Sequence, residues 1–169
     1  MPVVRSLWFR TVVRIYQPII NYQMEIIFKK VHTVKDLSIS AIVLAAGIGL
    51  YFLNAGLGIV TAACGALMLL LYKTGYKRKD CDGPVFTKKI LDVAYSNRQT
   101  IKDFLDGKDV EPILSTSGKG GVVCLEVYYN KNTSFAYAQL FDFSDYNYVK
   151  ATEIIELDGP RAELLISKL

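Results

Sequence analysis

LSISAIVLAAGIGLYFLNAGLGIVTAACGALMLLLY, residues 37 to 72, contains no Asp, Glu, Lys, Arg or His in 36 positions, and Asn54 is its only strongly polar side chain. A run this long and free of charge predicts two short membrane helices, residues 37–53 and 57–72. At 1.5 Å per residue each covers about 25 Å of a hydrocarbon core of roughly 30 Å. Snorkelling by Lys35 and Lys73, or local thinning of the bilayer, makes up the difference. Asn54-Ala55-Gly56 supplies the turn of a tight hairpin. Ala41, Ala45 and Gly49 recur every four residues on the first helix, and Gly58, Ala62 and Ala66 on the second, so these six are the expected packing faces. The alternative is a helical hairpin buried inside a soluble protein. A cleaved signal peptide is not expected, because the first apolar run begins 36 residues in and shows no cleavage pattern.

Charge around the run gives an orientation. Arg5, Arg10, Arg14, Lys29, Lys30 and Lys35 precede it, Lys73, Lys77, Arg78 and Lys79 follow it, and the connecting turn carries none. Both termini are therefore expected on the cytoplasmic side of a bacterial inner membrane. Through residue 79 there are ten basic and two acidic residues, and beyond it ten basic and fourteen acidic. The basic half is the one beside the anionic lipids, and bulk binding of DNA or RNA by the acidic half is disfavoured. Cys81 and Cys124 then face a reducing compartment, where a structural disulfide is not expected, and Cys64 falls in a membrane helix. No cysteine or histidine spacing suggests a metal site.

Four segments result: 1–36, 37–72, 73–85 and 86–169. In the first, Leu7, Trp8, Phe9 and the arginines suit a membrane interface, with packing against the cytosolic domain or a neighbouring subunit as the alternative. From Ile19 the spacing predicts a helix with Asn21, Glu25, Lys29 and His32 on one stripe. KTGYKRKDCDGPV (73–85) reads as a charged linker.

The last segment is expected to be a small α+β domain with an antiparallel sheet. Phe86, Ile90 and Val93, then Ile101, Phe104 and Leu105, have helical spacing, with Ser96 and Gln99 in capping-box positions and Gly107 as a stop; Leu91 to Tyr95 is ambiguous between helix and strand. VVCLEVYY (122–129) and SFAYAQLFDF (134–143) read as strands, YVKATEIIEL (148–157) as a third, and Asp158-Gly159-Pro160 as the start of a final helix.

Catalytic parts are missing. Ser117-Gly118-Lys119-Gly120-Gly121 lacks the second lysine and the Mg²⁺-binding hydroxyl of a phosphate-binding ATPase loop, and a strand follows where a helix should start. It reads as a glycine-rich turn. The one histidine, His32, lies outside the domain, so neither Cys81 nor Cys124 has a base there. Asp142 and Asp145 are expected in a solvated loop. No enzyme activity, cofactor or metal is expected.

In the order of its segments, a basic start, two short spans and a small α+β domain without catalytic residues, the whole chain resembles membrane effectors of bacterial antiphage defence. It is similar in particular to ancillary proteins of type III CRISPR systems that bind cyclic tetra-adenylate. The resemblance implies a homo-oligomer whose cytosolic domain binds a cyclic oligonucleotide and alters the membrane part. The residues themselves supply the ligand candidates: Ser117 and Lys119 as a phosphate-contacting loop, and Arg98 and Lys102 as helical cations. The alternative is a membrane-anchored accessory or scaffold subunit that docks a cytosolic protein.

Overall fold

The computed structural model describes residues 27–118, 120–144 and 147–169. Helix α1 (Val34–Tyr51) opens with a capping box: the Asp36 N–H donates to Thr33 Oγ1 at 3.2 Å, and the Thr33 N–H donates to the Asp36 carboxylate at 2.9 Å. This reciprocal pair starts the helix three residues before Leu37. Helix α2 (Ala55–Leu71) is capped by Asn54, whose Oδ1 accepts from the Leu57 N–H at 3.1 Å. Between them the Asn54 N–H still reaches the Leu50 carbonyl at 2.8 Å, so the reversal takes only three residues. By length and composition α1 can cross a membrane, and α2 is a slightly shorter apolar helix.

Glycines bring the two helices together. A Cβ on Gly65 would lie 2.5 Å from the Leu44 backbone nitrogen, one on Gly47 2.2 Å from that of Ala62, and one on Gly58 2.3 Å from the Tyr51 Cα. Residue 44 therefore faces 65, 47 faces 62 and 51 faces 58, a single antiparallel register. Ser40, Leu44, Gly47 and Tyr51 step by four, three and four residues, the spacing of a helix–helix seam. Of the six expected packing residues, Gly58 and Ala62 lie on this seam. Ala41, Ala45 and Ala66 are exposed, and Gly49 has nothing within 4 Å of a Cβ position. A strict four-residue stripe drifts around a helix of 3.6 residues per turn, whereas alternating steps of four and three stay on one line.

Two compact units are present, Lys29–Thr87 and Lys88–Leu169 with Phe28. In the first, β1 (Phe28–Val31) leads into the hairpin and β2 (Gly75–Arg78) leads out, in the order β1-β2-β3. Strand β3 (Phe86–Ala94) pairs antiparallel with β2, Gly75 opposite Thr87 and Tyr76 opposite Phe86. Three expectations are corrected. The helix anticipated from Ile19 does not run through residues 28–31, and its earlier part, like the interfacial residues Leu7 to Tyr16, lies outside the described residues. The 73–85 linker contains a strand. Residues 86–94 are strand rather than helix, because their apolar side chains bury on both sides of a sheet.

In the second unit the order is β3-β4-β5-β6, with β7 sharing the far edge of β5. Strands β4 (Val122–Asn130) and β5 (Phe135–Ser144) pair antiparallel from Cys124–Phe141 to Asn130–Phe135. Asn130 Oδ1 accepts the N–H groups of Asn132 and Thr133 to close the turn. The expected third strand is two: β6 (Asn147–Lys150) ends with Lys150 opposite Phe141, and β7 (Ile155–Asp158) begins with Ile155 opposite Ala138. Four residues thus bulge over the space of two. Thr152 fills the gap, its Oγ1 accepting from the Leu140 N–H at 3.0 Å. On one face Val93, Val123, Leu125, Val127, Ala138 and Leu140 form the core with helices α3 (Arg98–Leu105) and α4 (Gly159–Lys168). Gly107, at φ +93°, stops α3, and Arg161 from α4 donates to the terminal carbonyls of Phe104 and Leu105.

Gly65→Leu is expected to destabilise the hairpin by about 1–3 kcal/mol, because the added side chain meets backbone. Gly49→Leu is expected to stay within about 0.5 kcal/mol of the parent. Denaturation of the full chain in detergent, followed by circular dichroism, measures the difference; equal effects would contradict the seam.

Candidate functional site

The STSGKGG loop folds back on the end of β3. The Ala94 N–H donates to the Ser115 carbonyl at 3.0 Å and the Tyr95 N–H to the Gly121 carbonyl at 3.0 Å. A Cβ on Gly118 would lie 2.4 Å from the Ala94 Cβ, so only glycine fits that approach. Gly120 and Gly121, at φ +91° and +94°, turn the chain into β4. The segment is the glycine-rich turn that the sequence predicts. Ser117 is exposed on it, and Lys119 lies outside the described residues.

The loop rests against residues 94–97, just ahead of Arg98 at the start of α3. Arg98 is nonetheless committed elsewhere: Nε and Nη2 donate to the two carboxylate oxygens of Asp142, each at 2.6 Å. Hydrogen bonding to Asp142 holds the guanidinium further above its ordinary range. Two planar groups in a bidentate pair neutralise each other, so Arg98 braces α3 against β5. Asp142 is consequently a strand residue with a partner, not a loop aspartate; Asp145 lies outside the described residues. Lys102, one turn beyond Arg98, is partly exposed.

A second group, missed in the sequence, occupies the sheet face opposite α3 and α4. Cross-strand register aligns Cys124 with Phe141, Glu126 with Gln139 and Tyr128 with Tyr137. Lys88 on β3 reaches Glu126 at 2.7 Å, and the Tyr128 hydroxyl donates to the same carboxylate at 3.2 Å. Glu126 and Gln139 are fully buried. The Gln139 amide nitrogen donates to the Thr152 carbonyl at 3.1 Å, whereas its Oε1 and the Tyr148 hydroxyl are buried with no hydrogen-bond partner. Phe28 stacks on Tyr128 with ring centroids 4.3 Å apart and planes 7° from parallel.

Electrostatics on this face oppose nucleophilic chemistry. Burial pushes the Cys124 thiol far up, the negative charges of Asp92 and Glu126 add to the effect, and Lys88 opposes it. Burial likewise raises the Asp92 carboxyl and the Tyr148 phenol. A thiol held protonated is a poor nucleophile. Among the described residues no cluster of three His, Cys, Asp or Glu forms a metal site. The buried pair, alternating β4 residues on both faces, gives no periodic signal in sequence; only the charged Glu126 inside an otherwise apolar strand hints at it.

No family model matches the chain, and neither a curated protein nor a solved structure matches it significantly.

Lys88→Met is expected to cost about 3–5 kcal/mol by stranding the Glu126 charge, and Lys88→Met with Glu126→Leu to recover most of it. Urea denaturation checks both; an additive double variant would contradict the pairing. A thiol reagent at neutral pH should modify exposed Cys81 in the folded chain and leave Cys124 until the chain is denatured. Reaction of both at equal rates would show that the β4 face is open.

Proposed function

We propose that the chain is a membrane-anchored recognition module without catalytic turnover, held by a two-span hairpin with its α+β domain in the cytoplasm, where it docks a protein partner. One observation carries the anchor: the hairpin is inverted relative to a soluble core. Ile42, Ile48, Phe52, Leu53, Leu57, Ile59, Leu70 and Leu71 are exposed, whereas small and polar residues, Asp36, Ser40, Gly47, Gly58 and Gly65, are the buried ones. In water so much exposed apolar surface is costly, and in lipid it is solvated. Close backbone contact through glycine is the way helices associate where apolar burial gives no advantage.

Docking a protein is favoured over binding an anionic ligand by the use of the domain's cations. Lys88, Arg98, Lys108, Lys150 and Lys168 each pair with a carboxylate, in a segment with more acidic than basic residues. A second reading keeps the cyclic oligonucleotide: the loop carrying Ser117 and two left-handed glycines lies against Tyr95, an exposed ring of the kind on which a base stacks. An oligomer would serve either reading.

An impermeant maleimide applied to intact cells is expected to modify a cysteine placed at Ala55 and to spare Cys81; the reverse pattern overturns the topology. Full chain in detergent, melted with cyclic di- to hexanucleotides, separates the two readings of the domain. No shift with any of them, together with one stoichiometric co-purifying protein, supports docking. A rise that Ser117→Ala with Lys102→Ala removes supports the nucleotide instead.

A further inference from the structure

We propose that the base of the hairpin is a binding surface for anionic phospholipid headgroups, which rests on the membrane reading above. Both ends of the hairpin meet there, because the Asp36 carboxylate accepts from the Thr33 N–H and, at 2.9 and 2.7 Å, from the Thr74 N–H and hydroxyl. Around that junction Lys29, Lys30, Lys35 and Lys73 are exposed. The opposite end, Phe52-Leu53-Asn54, carries no charge. The surface is therefore polarised along the hairpin axis.

Among the described residues, the acids at the base are engaged mainly with partners other than these lysines. Asp36 is buried and consumed by its three donors. Asp82 is held by Lys77 at 2.9 Å, with Lys29 as a further charged neighbour, and Asp80 is held by Arg78. Of the ten charged side chains in residues 29–87, seven are basic and three acidic.

Lys35 argues most directly for an external anion. It occupies the second position of α1, where the helix dipole disfavours a cation and the fold offers it no acid within its own turn except the consumed Asp36. A lysine there lowers the stability of the isolated helix, but beside lipid phosphate both it and the dipole are satisfied by one negative group. The lengths agree: α1 and α2, of 18 and 17 residues, are about 27 and 26 Å long, shorter than a hydrocarbon core of roughly 30 Å, so the flanking lysines are drawn to headgroup level.

The test reconstitutes the full chain in vesicles and measures, by electron paramagnetic resonance, the association of spin-labelled phosphatidylglycerol relative to spin-labelled phosphatidylcholine. For the parent chain the ratio is expected to be severalfold above one in low salt and to fall toward one near 0.5 M salt, as screening requires. Lys29→Gln, Lys30→Gln, Lys35→Gln and Lys73→Gln together should bring it to about one, each single change accounting for up to about fivefold. The corresponding four Lys→Arg changes should keep the ratio, and with the salt series they hold the test open if the glutamine variant fails to fold. A parent ratio of one, with motionally restricted lipid present, overturns the headgroup surface and leaves the membrane anchor intact. Absence of any restricted lipid overturns the anchor itself, and the surface with it.

Discussion

Asp36 accepts hydrogen bonds from the Thr33 N–H, the Thr74 N–H and the Thr74 hydroxyl, so one carboxylate joins the residue before α1 to the segment after α2. The same aspartate caps its own helix, and its backbone carbonyl accepts from the buried Ser40 hydroxyl at 2.7 Å. Fixing the two ends side by side leaves the hairpin one register, since the turn at residues 52–54 is too short to allow slippage. Residues 44 and 65, 47 and 62, 51 and 58 then meet in sequence, and glycine is required wherever backbone faces backbone. On the strand side the constraint is similar: Gly75 is buried one residue beyond Thr74, where a Cβ would lie 2.7 Å from Val85 and 2.8 Å from Thr33. Polar latch, close seam and strand pair are consequences of one another.

The sheet unit solves a different problem. Its helix-covered face is apolar and ordinary, but the other face buries a glutamate, a glutamine and a tyrosine beside Cys124, with Lys88 largely covered next to them. Burying Lys88 with Glu126 costs desolvation that the 2.7 Å contact and the Tyr128 hydroxyl offset only together. Such a face fixes strand register, because a slip of one residue would move Glu126 into the aliphatic layer formed by Val123, Leu125 and Val127.

Local patterns were legible and non-local pairings were not. The two helices, the Asn54 turn, β4, β5 and α4 each have a signal contained in their own residues. Strands β1 and β2 are four residues long and exist because they pair with each other across the whole hairpin. Phe86, Ile90 and Val93 imitate a helical spacing, since a strand buried on both faces needs no alternation. Four of the six small residues miss the seam for a related reason, while Gly58 and Ala62 lie on it: with Ala and Gly on several sides of each helix, composition permits more than one seam, and the register imposed from the base selects among them. Arg98 looked available because Asp142 is 44 residues away in sequence.

That last pairing bears on what the domain does. A cation that serves an anionic ligand must be left uncompensated by the fold, and here the strongest candidate is spent on bracing α3 to β5. Among the described residues, Lys29, Lys30, Lys35 and Lys73 are exposed at the foot of the hairpin, where Lys35 sits against its own helix dipole. Within the sheet unit the Lys88–Glu126 and Arg98–Asp142 pairs set register and helix position, and under the proposed reading the exposed lysines at the base of the hairpin meet an anionic surface. Beside these pairs the domain presents the exposed Tyr95 ring and the turn that carries Ser117, Gly120 and Gly121. Under the proposed reading, contacts of that kind act at short range, and a membrane anchor would keep the domain close to its partner.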